Sequence, residues 1–146
     1  MALSAPRNTP QALGDMRRSG LAASVVVFAG AMLMRNSSGY LTKGQTATGL
    51  VGAGRAEASA TGGAGAGDVS VDWKAGTFRF KNSSAGDAIT IADIGKPCWS
   101  VDDETVAKTS GTNTRSIAGF IHEVDAQGVW VRFDEAAVQS HLAGIA

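Results

Sequence analysis

The sequence predicts a mainly β fold: a compact β-sandwich or β-barrel-like domain with an extended N-terminal arm and a short C-terminal helix. Three observations carry this. Apolar and polar residues alternate in short blocks, as in Val69, Val71 and Trp73 or Val129, Val131 and Phe133, the period-two pattern of a half-buried strand. Turn-forming clusters separate the blocks, and nineteen glycines in 146 residues are roughly twice the ordinary usage of about 7 %. The last dozen residues read as a helix, and a short helical turn around Gln11 to Arg18 is left open. The length suits one domain, divided into an arm over 1–20, a β-rich unit over 21–134, and a helix or tail over 135–146.

Taken in order, residues 1–20 carry Pro6, Pro10, Gly14 and Gly20 among small and polar side chains, which disfavours continuous secondary structure and predicts an arm ordered by what it binds. Val25-Val-Val-Phe28 is a β-branched run that reads as a buried strand, and a second strand is expected over Ala31 to Arg35. Asn36-Ser-Ser-Gly39 supplies turn chemistry before Tyr40. Residues 47–67 are rich in Ala, Gly, Ser and Thr, and their end, Gly62 to Gly67, reads as a mobile loop. Asp68 to Trp73 and Thr77 to Lys81 flank Lys74-Ala-Gly76 and read as a hairpin, placing Val69, Val71, Trp73, Phe78 and Phe80 on one sheet side. Short strands follow at Ala88 to Ile91, Pro97 to Val101 and Glu104 to Ala107. A final hairpin joins 115–124 to 128–133, with Gly128 in the turn and apolar bulk on both faces of its second strand. Asp134 to Gly144 forms the helix, with acidic residues in its first turn, where they complement the helix dipole, and Ala137, Val138 and Leu142 available for packing.

The chain is formally neutral, yet residues 1–60 hold six basic side chains against two acidic ones, a net +4, and the remainder is −4. The basic side suits an arm docking on an acidic surface or a solvated tail. Arg17-Arg18 ahead of Leu21 to Ala31 has the look of a secretory signal ending in Ala29-Gly30-Ala31, but the apolar run is shorter than the ~20 residues of a membrane-spanning helix. A lone cysteine, Cys98, excludes an intrachain disulfide framework, and its neighbours Pro97 and Trp99 suit an inert buried thiol.

No pattern of catalytic or ligand-binding residues stands out. Gly52-Ala-Gly54 lacks the third glycine of a dinucleotide fingerprint, Glu57 standing in its place, and there is no Gly-Lys-Ser/Thr. His122 and His141 have no histidine or paired cysteines nearby, so a zinc site lacks ligands. Asp102-Asp103-Glu104 reads as a solvated turn rather than a calcium loop. Neither a Gly-x-Ser-x-Gly elbow nor a basic stripe with interleaved aromatics occurs. The expectation is no catalytic residue, no cofactor, no metal, no direct nucleic-acid partner and no membrane.

Gly76-Thr-Phe-Arg-Phe80 resembles a strand block of lambda-like phage head decoration proteins. With Asp93-Ile-Gly-Lys96, Val101-Asp-Asp-Glu-Thr-Val106 and Gly128-Val-Trp-Val-Arg132, the stretch from Asp68 to Phe133 is similar to the small decoration, or cement, proteins of tailed phages. The resemblance covers about half the chain, and its motifs are structural. It implies a non-enzymatic protein on the outer surface of the virion, assembled in the host cytoplasm, commonly a homotrimer, that bridges major capsid subunits. The basic arm, with Arg7, Arg17 and Arg18, is then the expected capsid-binding element, and Trp73, Phe78, Phe80, Trp99, Trp130 and Phe133 the sheet core or subunit packing. The alternatives are a β-rich adhesion or receptor-binding module of a phage tail or fibre, and a small secreted enzyme.

Overall fold

The computed structural model describes residues 2–145 and is mainly β, as the alternation predicts. Twelve strands run in chain order: β1 (Met16–Gly20), β2 (Val26–Val27), β3 (Met32–Arg35), β4 (Leu41–Lys43), β5 (Val51–Ala56), β6 (Ala60–Thr61), β7 (Ser70–Lys74), β8 (Thr77–Asn82), β9 (Pro97–Ser100), β10 (Thr105–Ala107), β11 (Ile117–Asp125) and β12 (Gly128–Arg132), followed by α1 (Glu135–Gly144). They make two bodies: an open five-stranded sheet ordered β1-β7-β5-β3-β4 and a closed barrel ordered β10-β8-β12-β11-β9, with β2 and β6 as a separate ribbon. Closure removes the free edges that an open sheet exposes.

The barrel follows the alternation. Phe80, Val106, Ile121, Val129, Val131 and Phe133 are buried in one cluster that also takes in Ile89 and Cys98. Phe133 meets Phe80 edge-on at 5.8 Å and Phe78 at 6.2 Å, the tilted geometries that aromatic quadrupoles favour. The β11–β12 hairpin forms as expected, Gly128 taking φ +152 in its turn. Asp125 orders that turn by accepting from the backbone N–H groups of Gln127 and Gly128.

The open sheet departs from the sequence reading at three places. Met16–Gly20, expected in the arm, forms β1 and pairs antiparallel with β7; the irregular N-terminal stretch therefore ends at Asp15. The low-complexity stretch contains β5, held between β3 and β7. A Cβ on Gly52 would lie 1.6 Å from the Ala118 carbonyl oxygen, and one on Gly54 2.0 Å from that of Lys74. These glycines allow backbone to pack on backbone, a use that local propensity does not reveal. The Gly62–Gly67 segment is tied at both ends: Gly62 N–H donates to Val25 O and Gly67 N–H to Leu21 O.

The third departure is the hairpin expected between β7 and β8. β7 pairs with β1 and β5, while β8 pairs with β12 and β10, so Lys74-Ala-Gly76 hands the chain from sheet to barrel. Trp73 and Val71 consequently enter the sheet core with Leu21, Leu33 and Leu41, and Phe78 and Phe80 the barrel core. Smaller corrections follow. Val25–Phe28 is no buried strand: only Val26 and Val27 pair, and Phe28 is 65 % exposed. Ala88–Ile91 is not a strand; Ile91–Asp93 is a single 3-10 turn held by a reciprocal Thr90–Asp93 capping box. The outer side of β12 is only partly covered, with Trp130 half-buried and Arg132 exposed.

Sheet and barrel are joined by side chains from both. Met32 of β3 lies in the barrel cluster, and the Arg55 guanidinium of β5 sits 4.2 Å from the centre of the Phe78 ring, a cation–π contact. Ser116 Oγ accepts from Leu50 N–H and donates to Ala47 O, fastening the β4–β5 loop to β11. Helix α1 begins where Asp134 caps the N–H of Ala137. It docks through Val138, buried with Val51 and Ile117, and through Arg35, whose Nε donates to Glu135 at 2.6 Å.

Candidate functional site

Surfaces rather than an enclosed pocket stand out, and the first is the N-terminal stretch. Residues 2–15 hold no helix or strand and are exposed throughout, with Leu3 and Leu13 at 73 % and 77 %. Arg7 is exposed within it. Arg17 and Arg18, also exposed, belong to β1: Arg17 donates to the backbone carbonyls of Gly14 and Met16, and Arg18 pairs with Asp72 of β7 at 3.1 Å. The three arginines expected to act together are thus divided between the irregular stretch and the sheet edge. The edge is fixed by β7, so it offers the stretch a rigid root.

The six aromatics expected in the core or in subunit packing also divide. Trp73, Phe80 and Phe133 are buried, with Trp73 Nε1 donating to Ser19 Oγ. Phe78, Trp99 and Trp130 are half-buried. Trp99 lines a groove of about 480 Å³ between sheet, barrel and α1, together with Arg35, Arg115, Glu135 and Leu142. Arg115 pairs with Asp87 at 2.9 Å, while its Nε is buried without a partner.

Trp130 lies on the outer barrel face. Its Nε1 donates to Asp125 Oδ2 at 2.9 Å, and the Arg79 guanidinium lies 5.4 Å from its ring centre. That hydrogen bond, first among several, holds the Asp125 carboxyl below its ordinary value. Beside the ring, β11 carries a bulge between Ile121 and Glu123, which leaves His122 and Glu123 exposed. With Thr77 and Trp130 they line an open hollow of about 400 Å³. The β2 region adds a small cleft of about 260 Å³ whose lining includes Phe28, Asp103 and Glu104. The bulge and the exposed Phe28 have no signature in local sequence, because each depends on which strand lies alongside.

The groups considered for chemistry lie apart. His122 is on β11, whereas His141 on α1 packs edge-on against Phe120. Burial pushes the Cys98 thiol up to about 12, far from the thiolate that reactivity needs. Asp102 caps the N–H of Glu104, and Glu104 pairs with Lys81. Among the described residues, no three His, Cys, Asp or Glu side chains are placed to share a metal ion, and no helix is long and apolar enough to cross a membrane.

No family model, curated protein or solved structure matches the chain. The resemblance to head decoration proteins therefore rests on the sequence motifs alone. Asp93-Ile-Gly-Lys96 falls at the 3-10 turn entering β9, Val101–Val106 at the β9–β10 turn, and Gly128–Arg132 on β12.

Proposed function

We propose that the chain is a non-enzymatic viral structural protein that decorates and stabilises an icosahedral phage head. In this reading it sits on the outer surface of the capsid as a homotrimer and bridges major capsid subunits. The observation that carries it is the exposed stretch 2–15, bearing Arg7, Leu3 and Leu13, rooted in a sheet edge that carries Arg17 and Arg18. An irregular segment loses conformational entropy when it orders on a partner, but many copies on a repeating lattice, each touching several subunits, compensate through effective concentration.

The test is binding to purified undecorated heads. The intact protein is expected to bind, and a variant lacking residues 2–15, which keeps β1, is expected to lose most of that binding with its β fold intact. Equal binding by the truncated protein would overturn the arm's role. No binding by the intact protein would overturn the cement reading and put an adhesion or receptor-binding module ahead. Light scattering tests the oligomer, since a stable monomer at the concentrations used for decoration contradicts the trimer.

A further inference from the structure

We infer that the outer face of the barrel around Trp130 is a binding site for a neutral saccharide, a role separate from any grip on a capsid. Three features of that face carry the inference: a fixed aromatic ring, a hollow of ligand size beside it, and balanced hydrogen-bonding groups around the hollow.

The ring is held before any ligand arrives. Nε1 of Trp130 is tied to Asp125, and Arg79 lies against the ring while also reaching Asp125 Oδ2 at 3.8 Å. Trp130 therefore has little rotamer freedom left to lose on binding, the condition for a preorganised contact. An indole plane also offers the apolar surface on which the C–H face of a sugar ring can stack.

The hollow beside the ring, about 400 Å³, is lined by Thr77, His122, Glu123 and Trp130, within the ~300–1,000 Å³ usual for small-molecule sites. The β11 bulge is what brings His122 and Glu123 there together. Opposite β12, Ile121 pairs with Val131 and Glu123 with Trp130, so His122 is the extra residue. Bulges re-aim side chains in this way next to binding sites.

Donors and acceptors are mixed, which selects the ligand. The Glu123 carboxylate accepts, the Thr77 hydroxyl and the imidazole can do both, and each sugar hydroxyl is itself both donor and acceptor. Among the arginines and carboxylates of this face, Arg79 and Arg132 balance Glu123 and Asp125. A face without net charge lacks the positive groove that single-stranded nucleic acid requires, and gives an anionic glycan no electrostatic gain.

The experiment follows the Trp130 indole N–H and the backbone amide resonances of Thr77, His122 and Glu123, which every variant retains, in the ¹⁵N-labelled full chain during titration with maltopentaose, cellopentaose, chitotetraose and mannopentaose, with oligodeoxythymidine and a uronic-acid oligomer as charged comparators. No heads are present, so the outcome is independent of the decoration reading. The expected result is a saturable shift with at least one neutral oligosaccharide, and an apparent Kd raised about tenfold or more in Trp130→Ala and in Glu123→Gln. The exposed change Glu123→Gln keeps the test meaningful if Trp130→Ala folds poorly, and Ile91→Ser, at an exposed position outside the hollow, is expected to bind like the parent. The inference is overturned if no neutral oligosaccharide moves these resonances up to about 20 mM, a concentration that reveals dissociation constants well above about 1 mM. It is equally overturned if oligodeoxythymidine or the uronic-acid oligomer binds more tightly, or if both hollow variants bind as the parent does.

Discussion

The barrel and the open sheet are similar in strand number but are held together differently. The barrel encloses large side chains: Phe80, Phe133, Val129, Val131 and Ile121 meet inside a closed wall. The sheet has a leaner interior, Trp73 being its one aromatic beside leucines, valines and alanines, and its central strand approaches other backbone through Gly52 and Gly54. A barrel of this kind is stabilised by buried area, roughly 25 cal/mol per Å² of apolar surface. Close approach, where one added carbon has no room, also occurs in the barrel, where a Cβ on Gly119 or Gly128 would lie 2.4 or 2.2 Å from the carbonyl oxygen of Arg132 or Phe80, but the sheet has less buried bulk to set beside it. The same chain thus uses two solutions to a shortage of bulky residues.

Two substitutions would break this comparison most directly. Phe133→Ala removes the ring that meets both Phe78 and Phe80 and is expected to cost about 3–5 kcal/mol in denaturant unfolding, the range for a buried aromatic truncated to alanine. Gly52→Ala adds only a methyl group, yet it is expected to cost about 3 kcal/mol, because the Ala118 carbonyl it meets is backbone and cannot rotate away. Gly86→Ala is the control: nothing lies within 4 Å of a Cβ there, and a change under about 0.5 kcal/mol is expected. If Gly52→Ala and Gly86→Ala behaved alike, the backbone-packing account of the sheet would fail.

The contrast also explains what could be read in advance. The barrel hairpin β11–β12 was legible because alternation, a turn glycine and strand length agreed over a short span. β5 was not, because Val51-Gly-Ala-Gly-Arg-Ala56 has poor strand propensity and forms only where β3, β7 and β11 already supply its surroundings, a tertiary override of local preference. The supposed β7–β8 hairpin failed for a related reason. Alternation and a turn are present on both sides of Lys74-Ala-Gly76, but β1 and β5 occupy both edges of β7, and no local signal reports an edge already taken. Of the surfaces, the exposed N-terminal stretch was visible as composition, whereas the Trp130 hollow needed the bulge and the β8 partner to be seen.

A smaller effect is expected where helix meets sheet. Glu135→Gln leaves the Arg35 guanidinium without its charged partner at the foot of α1 and should lower stability by about 1 kcal/mol, since the pair is only partly screened from solvent. The loss should be largest in amide exchange of the helix and small in the barrel strands. Uniform loss across both bodies would mean that α1 is part of one cooperative unit rather than a docked element.

The smallest effect concerns acid, and it distinguishes the barrel's connections from its core. Asp87 and Asp93 both lie between β8 and β9. The Asp87 carboxyl is held below its ordinary value chiefly by the Thr109 hydroxyl and then by Arg115; that of Asp93 is lowered above all by the Thr90 N–H that it accepts. A carboxyl with a depressed folded value favours the folded state fully at any pH above its unfolded value, about 3.9. That contribution is lost as the pH falls through the folded value, because protonation removes the charge the donors stabilise. Stability should therefore be flat toward neutrality and decline below about pH 4. Asp87→Asn should lower the neutral plateau and flatten the acid decline, bringing the two proteins together at low pH. Phe133→Ala, by contrast, should shift the whole curve down without changing its slope, since no proton is involved. If Asp87→Asn instead displaced the curve in parallel, the carboxylate would contribute through packing of the β8–β9 connection and not through its charge.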